Sequence, residues 1–329
     1  MPKNKYNIKI ESNWRDNIVA ILIKDKFEVW EQEAQSRFDQ LKANEEELNK
    51  IFIELYGLQD ELDYHVEDKD VSVSRACRER DIKSLISYAV GCMFGRYSLD
   101  EEGLVFAGGE FDMSRYSKFK PIKDNILMIT DDKYFQDDES DIMNKFVEFV
   151  TVVYGKETLE ENLQYIADTL PGSGKSRDII RKYFISKFYA DHMKTYKKRP
   201  IYWQFESGKS NGVKALMYLH RYNENLLGRL RTDYLSKLSQ AYNARIEIRE
   251  SQKLTTSNAG ESARYEKEIQ KIKKQVKELQ AFDEKIGHLA LKKISLDLDD
   301  GVIVNYDKLQ RDPDTKEKFV ILAKGVKEP

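Results

Sequence analysis

The feature that most constrains this chain is a long run of apolar residues at helical spacing near its start. Trp30, Ala34, Phe38, Leu41, Leu48, Phe52, Leu55 and Leu62 recur at steps of three and four or their multiples, the pattern of one amphipathic helix. The spacing predicts a helix from about Lys26 to Leu62, with a break near Gly57. A stripe that long needs cover, so a second long helix is expected beside it. Two further long helices are expected from Leu226 to Leu254 and from Tyr265 to Leu289, joined by the polar connector Thr255 to Gly260. In the second of these, Tyr265, Ile269, Ile272, Val276 and Leu279 step by 4, 3, 4 and 3. That is a heptad seam, and the short connector implies an antiparallel helical hairpin.

Between these lie shorter signals. Apolar spacing marks helices at Ile82 to Met93, Ile142 to Tyr154, Leu159 to Leu170 and Arg177 to His192. The run Leu104 to Ala107, ending at Gly108-Gly109, reads as a strand entering a turn. The period then switches to two. Pro200 to Phe205 reads as a strand, Gly208 to Gly212 as a turn and Val213 to His220 as the partner strand, together a β-hairpin. With only 16 glycines and 6 prolines in 329 residues, long helices are favoured over a turn-rich β fold. The expected fold class is mainly α with a small β component. Three regions are expected: a helical 1–100, a mixed 101–199, and 200–329 with the β-hairpin, the helical hairpin and a tail.

Several function classes fail on residue pattern. No window nears the ~18 uninterrupted apolar residues of a membrane helix, and Met1-Pro2-Lys3-Asn4 leads into no apolar stretch, so a cytoplasmic protein is expected. Two cysteines in the whole chain suit a reducing compartment. Pro171-Gly172-Ser173-Gly174-Lys175-Ser176 ends like a phosphate-binding loop, but Thr169 holds the place of its first glycine. It reads as a helix-breaking turn with Ser176 capping the next helix. His65, His192, His220 and His288 lack metal-ligand spacing, and Cys77 and Cys92 are too far apart along one helix for a shared zinc or a disulfide. Asp297 to Gly301 departs from a calcium loop, its glycine one place early and Lys308 standing at the twelfth position. Asp112 with Asp131-Asp132-Lys133 could imitate a nuclease site, yet acid-x-Lys recurs at Asp81-Ile82-Lys83 and Asp283-Glu284-Lys285. Neither a glycine-rich S-adenosylmethionine loop nor an Asn-Pro-Pro-aromatic motif is present. No catalytic, cofactor or metal residues are therefore expected in this chain.

Charge segregation remains. The formal charge is −2 overall, but Lys175, Arg177, Arg181, Lys182, Lys187, Lys194, Lys197, Lys198 and Arg199 face only Asp178 and Asp191, a local balance of +7. Tyr183, Phe184, Phe188, Tyr189, Tyr196, Tyr202 and Trp203 are interleaved with or follow them. Such a segment can neutralise phosphates and release counterions. The same pattern also describes a helix with core aromatics and solvated lysines, and the residues alone leave both readings open. Arg221, Arg229 and Arg231 form a smaller basic cluster.

Four strings go beyond composition: FDQLKANEEELNKIFIELYGLQDEL (38–62), RERDIKSLISYAVGCMFGRYSLD (78–100), KRPIYWQFESGKSNGVKALMYLHRYNENLLGRLRTDYL (198–235) and LDLDDGVIVNYDKLQ (296–310). From about Trp14 onward the chain resembles the C-terminal part of the PglX family, the adenine-specific DNA methyltransferases of BREX phage-defence systems, themselves similar to type IIG restriction-modification enzymes. The resemblance implies an accessory DNA-recognition and scaffold region. Its partners would be double-stranded DNA, the methyltransferase domain of a parent protein and other BREX components. S-adenosylmethionine would belong to that methyltransferase domain. The alternative is a protein-interaction module, with the long helices as docking surfaces.

Overall fold

The computed structural model describes residues 21–135 and 140–326. Trp14, where the resemblance begins, the rest of residues 1–20, and 136–139 in the acidic stretch lie outside the described residues. The described chain is predominantly helical with one small sheet. Helix α1 (Ile23–Tyr56) is followed by α2 (Arg78–Met93), the short strand β1 (Leu127–Met128), α3 (Ile142–Tyr154) and α4 (Leu159–Thr169). A continuous helical stretch then contains α5 (Ser176–Tyr183), a π-helical turn (Phe184–Phe188) and α6 (Tyr189–Thr195). Strands β2 (Tyr202–Glu206) and β3 (Lys214–Tyr218) lead to α7 (Leu226–Arg229), a second π-helical turn (Leu230–Leu235), α8 (Ser236–Thr255), α9 (Ala259–Leu291) and α10 (Gly301–Lys308).

The β-hairpin is the partition of the fold. Its strands pair antiparallel, Tyr202 opposite Tyr218 and Trp203 opposite Met217, and β1 adds to β3 to give the order β1-β3-β2. Because side chains alternate across a strand, Tyr202, Leu216 and Tyr218 enter one core while Trp203, Phe205, Ala215 and Met217 enter another. The first core is closed by α2 to α6, the second by α7 to α10. Since the first draws on residues from Ile23 to Ala323, it runs across the divisions placed at 100 and 199. The run Leu104 to Ala107 is no strand. Its Val105 and Phe106 N–H groups bond the Arg96 carbonyl, and the third strand lies instead at Leu127–Met128.

The helical hairpin forms as the heptad spacing predicts. Ile269, Ile272 and Leu279 are buried on α9, and Ile272 and Leu279 close the second core beneath the sheet. The turn of the β-hairpin is clamped to the same helix: the Glu278 carboxylate accepts the N–H groups of Ser210 (2.8 Å) and Gly212 (3.2 Å). Gly212 is required there, because a Cβ would lie 2.5 Å from the Gln275 carbonyl oxygen.

Helix α1 corrects an expectation. It ends at Tyr56, with Gly57 in the left-handed conformation (φ 67°). Asn162 and Trp30 fix its first half: Asn162 Oδ1 accepts the Ile23 N–H at 2.7 Å, and Trp30 Nε1 donates to Asp81 at 3.1 Å. Phe38 is its last buried residue. Among the described residues no second long helix covers the rest. Instead the polar segment 63–75 returns beside it: Tyr64 O accepts from Asn49, Val66 N donates to Glu46, Asp68 pairs with Lys42, and Arg75 lies over the Phe38 ring at 3.9 Å.

Candidate nucleic-acid interface

The basic stretch 175–199 occupies the α5–π–α6 helix and the turn that ends it. Steps of four along this helix, Ile180, Phe184, Phe188 and His192, are all buried. In a regular α-helix such steps drift round the axis; the π turn takes up an extra residue and keeps them on one face. The aromatics Tyr183, Phe184, Phe188 and Tyr189 therefore belong to the first core, and the hairpin's Tyr202 and Trp203 are fully buried as well. Base stacking by these rings is ruled out by their burial.

The nine basic residues divide. Arg181 is a core residue: its guanidinium pairs with the buried Asp141 carboxylate (3.1 Å) and donates to the Thr130 carbonyl and hydroxyl. Asp141 in turn caps α3 through the N–H groups of Met143 and Asn144. Arg177 pairs with Glu160. The other seven, Lys175, Lys182, Lys187, Lys194, Lys197, Lys198 and Arg199, are exposed and have no carboxylate partner among the described residues. Lys197 and Lys198 both adopt positive φ (49° and 63°) in the turn closing α6, with Lys198 N donating to Met193 O at 2.8 Å. Three consecutive cations thus stand at a helix C-terminus, where the dipole favours them.

The smaller cluster separates too. Arg221 donates to the carbonyls of Phe94, Ile122 and Lys123, and Arg231 pairs with Asp283; Arg229 stays exposed. The nuclease-like acids are engaged elsewhere, Asp131 with Lys271, Asp132 with Arg245, and Asp112 as a cap at Ser114. The Pro171 to Lys175 turn precedes α5 with Lys175, not Ser176, at the cap position. Asp297 caps a short 3₁₀ turn before α10. Among the described residues no group of three metal-ligating side chains converges, and no helix is long and apolar enough to cross a membrane.

One residue that sequence reading missed lies beside the basic turn. Arg96, half-buried just after α2, donates to Tyr218 (3.0 Å) and Tyr97 (3.3 Å) and has no carboxylate partner among the described residues. Around this cluster stand Tyr196 and Tyr202, packed on His192 at 4.6 and 4.8 Å, and His220, packed on Tyr218 at 4.9 Å. His192 Nε2 accepts the Tyr202 N–H at 3.1 Å, so the neutral ring carries its proton on Nδ1, which has no hydrogen-bond partner among the described residues. Burial, with the Arg96 charge adding to it, pushes the His192 pKa down to about 3 and lowers that of His220. Nothing in the spacing of a lone Arg96 signals this; only the fold brings residues 96, 192, 196, 202, 218 and 220 together.

The described residues thus form a helical body with a basic stretch on its surface, and the sequence comparisons say what this chain is related to. No family model matches the sequence. The chain is homologous to one region of the adenine-specific methyltransferases. PglX of Lacticaseibacillus casei (strain Zhang) is 51% identical over 288 residues, 87% of this chain and 24% of that protein. BrxX of Escherichia coli O9:H4 (strain HS) is 44% identical over 245 residues, 70% of this chain and 20% of that protein. The chain thus spans about a quarter or less of the length of these relatives.

Proposed function

We propose that this chain is the non-catalytic C-terminal DNA-recognition and scaffold region of a BREX-type adenine-specific (N6) DNA methyltransferase. It would grip duplex DNA by its phosphates. The observation carrying this is the set of seven exposed basic side chains from Lys175 to Arg199 without carboxylate partners among the described residues. Adenine N6 is reached by flipping the base out of the duplex, at a cost of a few kcal/mol that flanking phosphate contacts help offset. S-adenosylmethionine and the catalytic motif would reside elsewhere in the parent polypeptide. Because Tyr183, Phe184, Phe188 and Tyr189 are buried and only Tyr196 is partly exposed, this surface would hold the backbone and not stack on bases. The test is charge reversal at Lys182, Lys187 and Lys198, followed by mobility shift at several salt concentrations. Affinity should fall on all duplex sequences alike, and the salt slope should shrink by roughly one per lost phosphate contact. Wild-type affinity in the triple variant would overturn the proposal.

A second reading, docking onto other parts of the parent protein, is favoured by the exposed apolar face of α1 beyond Phe38.

A further inference from the structure

Between Leu48 and Tyr56, α1 presents Leu48, Ile51, Phe52, Leu55 and Tyr56, each between 49% and 71% exposed. Phe52 and Tyr56 stack on each other with ring centroids 6.4 Å apart, and Leu62 continues the apolar surface past the helix end. Isolated exposed apolar residues are ordinary, but a contiguous group on one helix face marks a contact surface. The extended segment 63–75 already occupies the face bearing Phe38, Lys42, Glu46 and Asn49, and leaves this one open.

The surroundings choose the occupant. From Asn44 to Asp63, apart from Glu46 on the covered face, there are six carboxylates (Glu45, Glu47, Glu54, Asp60, Glu61, Asp63) and one lysine, Lys50. Such a rim repels DNA, and it repels a second copy of itself. Three-quarters or more of each relative's length lies outside the region matched by this chain, so a longer parent polypeptide offers ample surface for cover. We infer that the distal half of α1 docks a lysine- or arginine-flanked amphipathic helix from the remainder of the parent methyltransferase. Leu48, Phe52 and Leu55 would be the anchors and the carboxylate rim would set the partner's charge. This rests on the docking reading above and names its site and the chemistry of its partner.

The experiment compares this chain with full-length Lacticaseibacillus casei PglX. A single reporter cysteine is placed at Phe52 or Leu55, or at the exposed control Ser186, with Cys77 replaced by serine and the buried Cys92 retained. In the full-length protein this chain's sequence replaces the homologous region, so that the same residues are substituted in both. Labelling by a water-soluble maleimide should be at least tenfold slower at positions 52 and 55 in the full-length protein than in this chain. The Ser186→Cys control monitors general accessibility. Combining Glu47→Lys and Glu54→Lys should restore fast labelling in the full-length protein. Equal rates at position 52 in the two proteins would overturn the inference, as would protection that depends on protein concentration, which indicates a second copy. Protection that survives the charge reversals would overturn the basic partner. Hydrogen exchange on the same pair separates the broader reading: no difference anywhere across the shared region would sink docking as a whole, whereas differences confined to other surfaces would sink only the α1 site.

Discussion

Arg181 shows how one residue changes meaning on folding. In the sequence it is one cation among nine; in the fold it neutralises Asp141, whose carboxylate is fully buried. Arg181→Ala would leave that charge unpaired, at a cost of about 3–5 kcal/mol, while barely changing DNA affinity measured below the melting transition. Chemical denaturation beside a mobility shift checks both. His192 gives the residue-scale pH dependence. Its folded pKa is depressed, so the neutral ring contributes stability that is present above about 6.5 and is lost as pH falls toward about 3. The unfolding free energy should drop between pH 7.5 and 5.5, where carboxylates remain ionised, by no more than about 1.4 kcal/mol per pH unit per group. His192→Gln should flatten that slope, and an unchanged slope would deny the ring's contribution.

Among the elements, the two long apolar stripes have opposite fates. The α9 seam is spent inside the molecule, where Ile272 is 1% exposed against the second core. Ile272→Ala should cost about 2–5 kcal/mol, and the position cannot report on partner docking because its loss damages the fold. The distal α1 stripe has no such cover among the described residues, so Phe52→Asp should leave the melting temperature of this chain within about 1 °C, whereas Phe38→Asp should lower it markedly. Calorimetry on the two variants distinguishes them. Both stripes were legible as helices, since apolar spacing sets the helical period. Which one stays open was not, because 3.6-residue periodicity does not say what lies opposite. The return of segment 63–75 along α1, through scattered polar contacts, leaves no periodic signal at all.

For the whole molecule, the β-hairpin couples two cores across one thin sheet. Every residue of β3 is buried and its two faces serve different helical layers, so neither layer can leave without exposing the sheet. A single thermal transition is expected, lowered together by Arg181→Ala in the first core and Ile272→Ala in the second. Two resolvable transitions would show that the layers fold independently. The sequence by itself determined the helical class, the two hairpins and the location of the basic stretch, because periodicity, turn residues and charge density are local properties. Tertiary structure alone decided that Tyr183, Phe184, Phe188 and Tyr189 are core, that Arg177 and Arg181 are already paired, and that Arg96 stands beside the basic turn. Burial and ion pairing join residues 17 to more than 100 positions apart, and no local pattern encodes such distances.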